Sequence, residues 1–110
     1  MRSRRMTVDE QRLLRALIKR AKSSAIIQDD TNDFLVESLP DGGMGSLRFV
    51  PPSVSPNRKF GTTVSDLEFD DTDGTKVYVA LNVDQNGSLF EIDIWRTDFV
   101  EVHHIPENLE

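Results

Sequence analysis

The chain has 110 residues, is 37% hydrophobic and 29% charged, contains no cysteine and carries a formal net charge of −6. This is enough chain for one domain with its own core, and without cysteine there can be no disulfide framework, thiolate zinc site or cysteine nucleophile. The charge is unevenly divided: residues 1–22 hold eight Lys or Arg against Asp9 and Glu10, a local +6, which leaves −12 on residues 23–110. An acidic body of this kind repels nucleic-acid phosphates and attracts cationic partners.

The start, "MRSRRMTVDE", has the positive charge of a signal-peptide leader, but Arg12, Arg15, Lys19 and Arg20 stand where an apolar stretch would have to follow. The expectation is a cytoplasmic chain with no secretion signal or membrane span and a flexible basic arm over residues 1–6. Thr7-Val8-Asp9-Glu10 has the form of a capping box and predicts a helix over residues 8–22. Leu13, Leu14, Leu17, Ile18 and Ala21 recur on one face, with Arg12, Arg15, Lys19, Arg20 and Lys22 on the other. In "AIIQDDTNDFLVESL", Ile26 and Ile27 suggest a short extended piece and Phe34-Leu35-Val36 a strand, ended by Pro40.

Asp41-Gly42-Gly43-Met44-Gly45-Ser46 comes next, leading into the strand pattern "SLRF". A phosphate-cradling loop needs a preceding buried strand, a following helix and usually a Lys, none of which this context supplies. The segment reads instead as a backbone turn or bulge using positive φ. Residues 51–60, "PPSVSPNRKF", hold three of the five prolines and read as a surface loop.

Beyond it "TVSDLEFDD", "TKVYVALNV" and "SLFEIDIW" alternate as strands, joined by Asp71-Thr72-Asp73-Gly74 and Asp84-Gln85-Asn86-Gly87. Asp-Gly and Asn-Gly endings are strong hairpin signals, so three consecutive strands form an antiparallel meander. Leu67, Phe69, Val77, Val79, Leu81, Val83, Phe90, Ile92 and Ile94 line one face for the helix to cover. The other face receives Asp66, Glu68, Asp70, Tyr78, Ala80, Asn82, Glu91 and Asp93, an acidic patch. Residues 103–110 read as a flexible tail. The fold class expected is α+β: an N-terminal helix on one face of an antiparallel meander sheet of about four to six strands.

Candidate chemistry is thin. Asp71, Asp73, Asp84 and Asn86 lack calcium-loop spacing, and adjacent His103-His104 cannot share a metal as an i, i+4 pair could, so no metal and no cofactor is expected. Glu91 and Asp93 share a strand face with Glu68 and could form a carboxylate pair for acid/base work, although solvated sheet carboxylates are commoner. Trp95, beside Arg96 and Asp98, is either a sheet-edge core residue or a binding anchor.

The combination of "DGGMGSLRF" with "DTDGTKVYVALNVDQNGSLFEIDIWRTDF" resembles a bacterial family, a domain of unknown function marked by a DGGMGS turn and a G-x-L-F-E-[LI]-D-[IV]-W-[KR]-x-D-F strand. The likeness covers most of residues 7–100 and implies a small acidic protein of the immunity type, which neutralises a toxin by binding it. The leading expectation is therefore a non-enzymatic protein-binding module for a cationic partner such as a cognate toxin, with no nucleic acid or membrane partner. Its contact residues would be Glu68, Glu91, Asp93, Trp95 and Asp98, and Asp41, Gly42, Gly43 and Gly45 would form the backbone turn. An accessory structural or regulatory domain is the second reading, and an enzyme using paired carboxylates the third.

Overall fold

Among the described residues seven elements follow one another: β1 (Arg4–Arg5), α1 (Val8–Arg20), β2 (Leu35–Ser38), β3 (Leu47–Val50), β4 (Phe60–Asp70), β5 (Lys76–Asp84) and β6 (Leu89–Arg96). The structure, a computed structural model, describes residues 3–21, 35–40, 43–50 and 58–109. The Ile26-Ile27 piece, Asp41, Gly42 and most of the proline segment lie outside the described residues.

Helix α1 begins where its cap dictates. The Thr7 hydroxyl accepts from the Glu10 amide at 3.1 Å, and the Glu10 carboxylate accepts from the Thr7 amide at 2.9 Å. Together they satisfy two amides that the first turn leaves without helical partners. Leu13, Leu14 and Leu17 are fully buried, and the helix packs on β4 and β5. Arg4, on β1, grips Glu10 with both guanidinium nitrogens at 2.7 and 2.8 Å and also donates to the Ser38 hydroxyl at 2.9 Å. Burial pushes the Glu10 carboxyl up, but these donors outweigh it and hold it below the ordinary carboxylate value.

The expected helix on a single meander sheet needs correction. The described chain is mostly one six-stranded antiparallel sheet with a single short helix, only loosely α+β, and its strand order is β1-β2-β3-β6-β5-β4. Strands β4, β5 and β6 are sequential neighbours, but β3 pairs with β6 (Leu47 opposite Ile92, Arg48 opposite Glu91), which leaves β4 at the far edge. The physical reason lies between β3 and β4: a tight hairpin takes two to five residues, whereas this link is longer and carries Pro51, Pro52 and Pro56. Phe60, assigned to the loop by its sequence, opens β4.

The arm and tail also gain partners. Arg4 and Arg5 pair with Val36 and Leu35, and Met6 is buried in the core. Val102, Ile105 and Leu109 pack against the core, while Arg12 donates to the carbonyls of Ile105 and Pro106 at 3.0 and 3.3 Å.

Both hairpins are built alike. Asp71 and Asp84 accept at their carbonyls from the amides of Gly74 and Gly87, at 2.8 and 3.0 Å, and each glycine has φ +84°. This is a three-residue connection closed by a left-handed residue, a position that glycine adopts without strain.

Candidate functional site

Cross-strand register organises the face of β4–β6 turned away from α1 into rungs. Glu68, Tyr78 and Trp95 stand side by side in one rung, and Asp66, Ala80 and Asp93 in the next. A third rung runs Thr63, Asn82, Glu91 and Arg48. Its polar groups form a continuous chain: Thr63 Oγ1 to Asn82 Oδ1 at 2.7 Å, Asn82 Nδ2 to Glu91 Oε1 at 3.1 Å, and Arg48 Nη2 to Glu91 Oε2 at 3.3 Å. Glu91 is thus engaged by its own sheet.

In the first rung the Tyr78 and Trp95 rings stack with centroids 5.5 Å apart and planes at 27°. Both are a little over one-third exposed, as large aromatics are when they cap a sheet face without entering the core. They border an open groove of about 320 Å³ with Arg20, Asp66 and Glu68. Arg20 reaches around the sheet edge and donates through Nε to the Asp66 carbonyl at 2.9 Å. Asp66 and Glu68 are exposed, and neither carboxylate has a hydrogen-bonded or ion-paired partner among the described residues. Lys76 feels Glu68 only as an attraction at a distance while it pairs with Asp70 at 2.8 Å.

Phe90 departs from its expected place on the core face. Val83 pairs with Leu89 and Asn82 with Glu91, so Phe90 is the extra residue of a bulge. Leu89 enters the core cluster in its stead. Two guanidinium groups, those of Arg48 and Arg58, lie 4.8 and 5.3 Å from the Phe90 ring centroid. Each is held by a carboxylate: Arg48 by Glu91 at 3.3 Å, and Arg58 by Asp84 at 3.0 Å.

The glycine turn serves β6. Gly43 and Gly45 have φ +85° and +108°. Between them Met44 points its sulfur at the Arg96 amide, 3.4 Å away. Buried Ser46 donates its hydroxyl to the Ile94 carbonyl at 3.0 Å and accepts from the Ile94 amide at 2.8 Å. A Cβ on Gly43 would meet Glu101 at 3.4 Å, and one on Gly45 would meet Ile94 at 3.5 Å. The turn is a brace for β6.

The densest charge cluster lies past Trp95, where Arg96 is 3% exposed at the end of β6. Its guanidinium donates to Asp71 at 2.8 Å, Asp73 at 2.6 Å, and both oxygens of Asp98 at 2.8 and 2.9 Å. Asp71 also accepts from the amides of His103, Thr72 and His104 at 2.8, 2.7 and 3.1 Å. Burial alone would raise the Asp71 carboxyl; the His103 and Thr72 amides, the Arg96 guanidinium and the His104 amide instead hold it at about 2. The Arg96 hydrogen bond leads the causes that hold Asp98 at about 2, and its carboxylate partners raise Arg96 above its ordinary value. Sequence reasoning read Asp71 and Asp73 as turn formers and Arg96 as a neighbour of Trp95. The alternation of β6 was the available signal, because it puts Arg96 on the same side as Ile92 and Ile94.

A family model described as a domain of unknown function (DUF6984) matches residues 3–106. The chain belongs to that family. Comparison of this DUF6984 chain with curated proteins and with solved structures gives no match.

Of the five contact residues expected in the DUF6984 chain, Glu68, Asp93 and Trp95 share the helix-free face. Glu91 lies there too but is tied to Arg48 and Asn82, and the exposed Asp98 is held by the buried Arg96. Asp93 receives the Ser46 hydroxyl at 3.3 Å. Sequence reasoning placed Tyr78 and Asp66 on this face without assigning them a role. No helix among the described residues is long and apolar enough to cross a membrane.

Proposed function

We propose that this chain is a protein-binding module, most concretely an immunity-type cytoplasmic protein that neutralises a bacterial toxin by covering a basic surface of it. One observation supports the reading above the others: the chain's single Trp stacks on its single Tyr, exposed on the sheet face turned away from α1, beside the carboxylates Asp66 and Glu68, which have no partner among the described residues. Trp and Tyr are the residue types most enriched among interface anchors, and they bring large area at little entropic cost. The flanking carboxylates add complementarity to a cationic partner, which speeds association and rejects acidic competitors.

The charge pattern of the rest of the molecule agrees with this. Arg4, Arg12, Arg58 and Arg96 are held by Glu10, Asp9, Asp84 and the Asp71 cluster, so none of these four cations covers Asp66 or Glu68. The test is co-expression with a candidate toxin from the same genome, chosen for a basic active surface. Wild type should protect growth and co-purify with that toxin, and the double reversal Asp66→Lys/Glu68→Lys should lose both while keeping its melting temperature. Protection by the double reversal equal to wild type would refute the reading.

A further inference from the structure

The chain contains one complete set of ring, guanidinium and carboxylate around Phe90, and the face turned away from α1 carries an incomplete copy of its parts. In the complete set, guanidinium groups lie over the Phe90 ring and are held by Glu91 and Asp84. Aromatic ring, planar cation and carboxylate are all present, and all come from this chain. In the incomplete copy, Tyr78 and Trp95 supply the rings and Asp66 and Glu68 the carboxylates, yet among the described residues no guanidinium lies over either ring. Arg20 lines the same groove, but its Nε is turned to the Asp66 carbonyl at the sheet edge.

We propose that the Tyr78–Trp95 platform takes an arginine side chain of the partner protein, its guanidinium laid against the rings and hydrogen-bonded to Asp66 and Glu68. This rests on the reading of the face as a protein interface and names the group that reading leaves open. Arginine suits the site better than lysine for two physical reasons. A planar guanidinium stacks on an aromatic face and loses little hydration in doing so, whereas an ammonium is a compact and strongly hydrated charge. The guanidinium also presents several N–H donors in a fixed fork, matched to two carboxylates two residues apart on one strand. The groove of about 320 Å³ beside the rings is open to solvent and roomy enough for one such side chain.

Because Trp95 is the chain's single Trp, its fluorescence and its indole N–H resonance report on this site alone. The probes are two capped pentapeptides, acetyl-Gly-Gly-Arg-Gly-Gly-amide and its lysine counterpart, titrated to about 10 mM, where one stacked and ion-paired side chain should register. The arginine peptide should shift the indole resonance saturably. The lysine peptide should bind about three- to ten-fold more weakly, and Asp66→Asn/Glu68→Gln should weaken the arginine peptide by about ten-fold. Equal binding of the two peptides would overturn the inference and leave the face as a general cationic interface. An arginine affinity unchanged in the double variant, or no saturable shift at all, would overturn it as well. Growth protection by the intact protein is scored separately, so a failed peptide titration with retained protection removes the arginine assignment alone. Both variant positions are exposed and without ion-paired partners among the described residues, and Glu68→Gln by itself gives the same reading should the double variant melt early.

Discussion

Replacing Asp71 by Asn keeps the side chain's shape while removing its charge and one of its two acceptors. Every contact to this carboxylate comes from a donor: Oδ1 accepts from Thr72 and His104, and Oδ2 from His103 and Arg96. An asparagine must therefore turn its own N–H groups toward two donors. The side chain has no solvent exposure, so water cannot repair the loss. Removing one member of a buried pair costs about 3–5 kcal/mol, and the lower part of that range applies because Arg96 keeps Asp73 and Asp98. A loss of ~3 kcal/mol in a chain of this size lowers Tm by roughly 15 °C.

The effect carries a pH signature. Asp71 is held below its ordinary 3.8, at about 2, so its ionised form favours the fold. That stabilisation is complete above about pH 4 and is lost as the pH falls through about 2. Urea denaturation followed by Trp95 fluorescence at pH 7 and near pH 2 should therefore give a large difference between wild type and Asp71→Asn at pH 7 and a small one in acid. Hydrogen exchange of the His103 and His104 amides should also accelerate in the variant. A loss below ~1 kcal/mol at pH 7, or the same loss at both pH values, would refute the account of this cluster.

Ile92→Ala, at a fully buried position in the core cluster, should cost ~2–5 kcal/mol by urea denaturation through the cavity it leaves, and a cost below ~1 kcal/mol would place Ile92 outside the core. Ser46→Ala should cost ~1–3 kcal/mol and speed exchange of the Ile94 amide, since the hydroxyl serves both the N–H and the C=O of Ile94; unaltered exchange there would deny Ser46 its bracing role. Neither duplex DNA nor RNA should bind specifically, because Arg4 is engaged by Glu10 and the body is acidic; salt-sensitive binding tighter than ~1 μM near physiological ionic strength would contradict this.

What could be read from the residues was local. Thr7 and Glu10 announced the helix start, and each D-x-x-G segment announced its hairpin, because capping and positive φ are decided within a few residues. The pairing of β3 with β6 was not legible, since it joins segments more than forty residues apart and depends on which sheet edge is left open. The two-residue β1 was too short to show any periodicity. Alternation placed Phe90 in the core, and a single inserted residue moved it beneath Arg48 and Arg58. Composition at the candidate face was legible as acidic, but not which carboxylates were already paired. Glu91 and Asp98 look like Glu68 in sequence, yet Arg48 and Arg96 reach the first two and leave the third open.

We propose that the face around Trp95, turned away from α1, holds a cationic protein partner. The most direct measurement is the dissociation constant for a cationic protein partner captured by the wild-type chain, compared between wild type and Asp66→Lys/Glu68→Lys at fixed salt. Reversing two exposed interface charges should weaken binding by at least about a hundred-fold, mainly through slower association and faster release, with Tm unchanged within ~2 °C. Equal dissociation constants for the two proteins would contradict the claim.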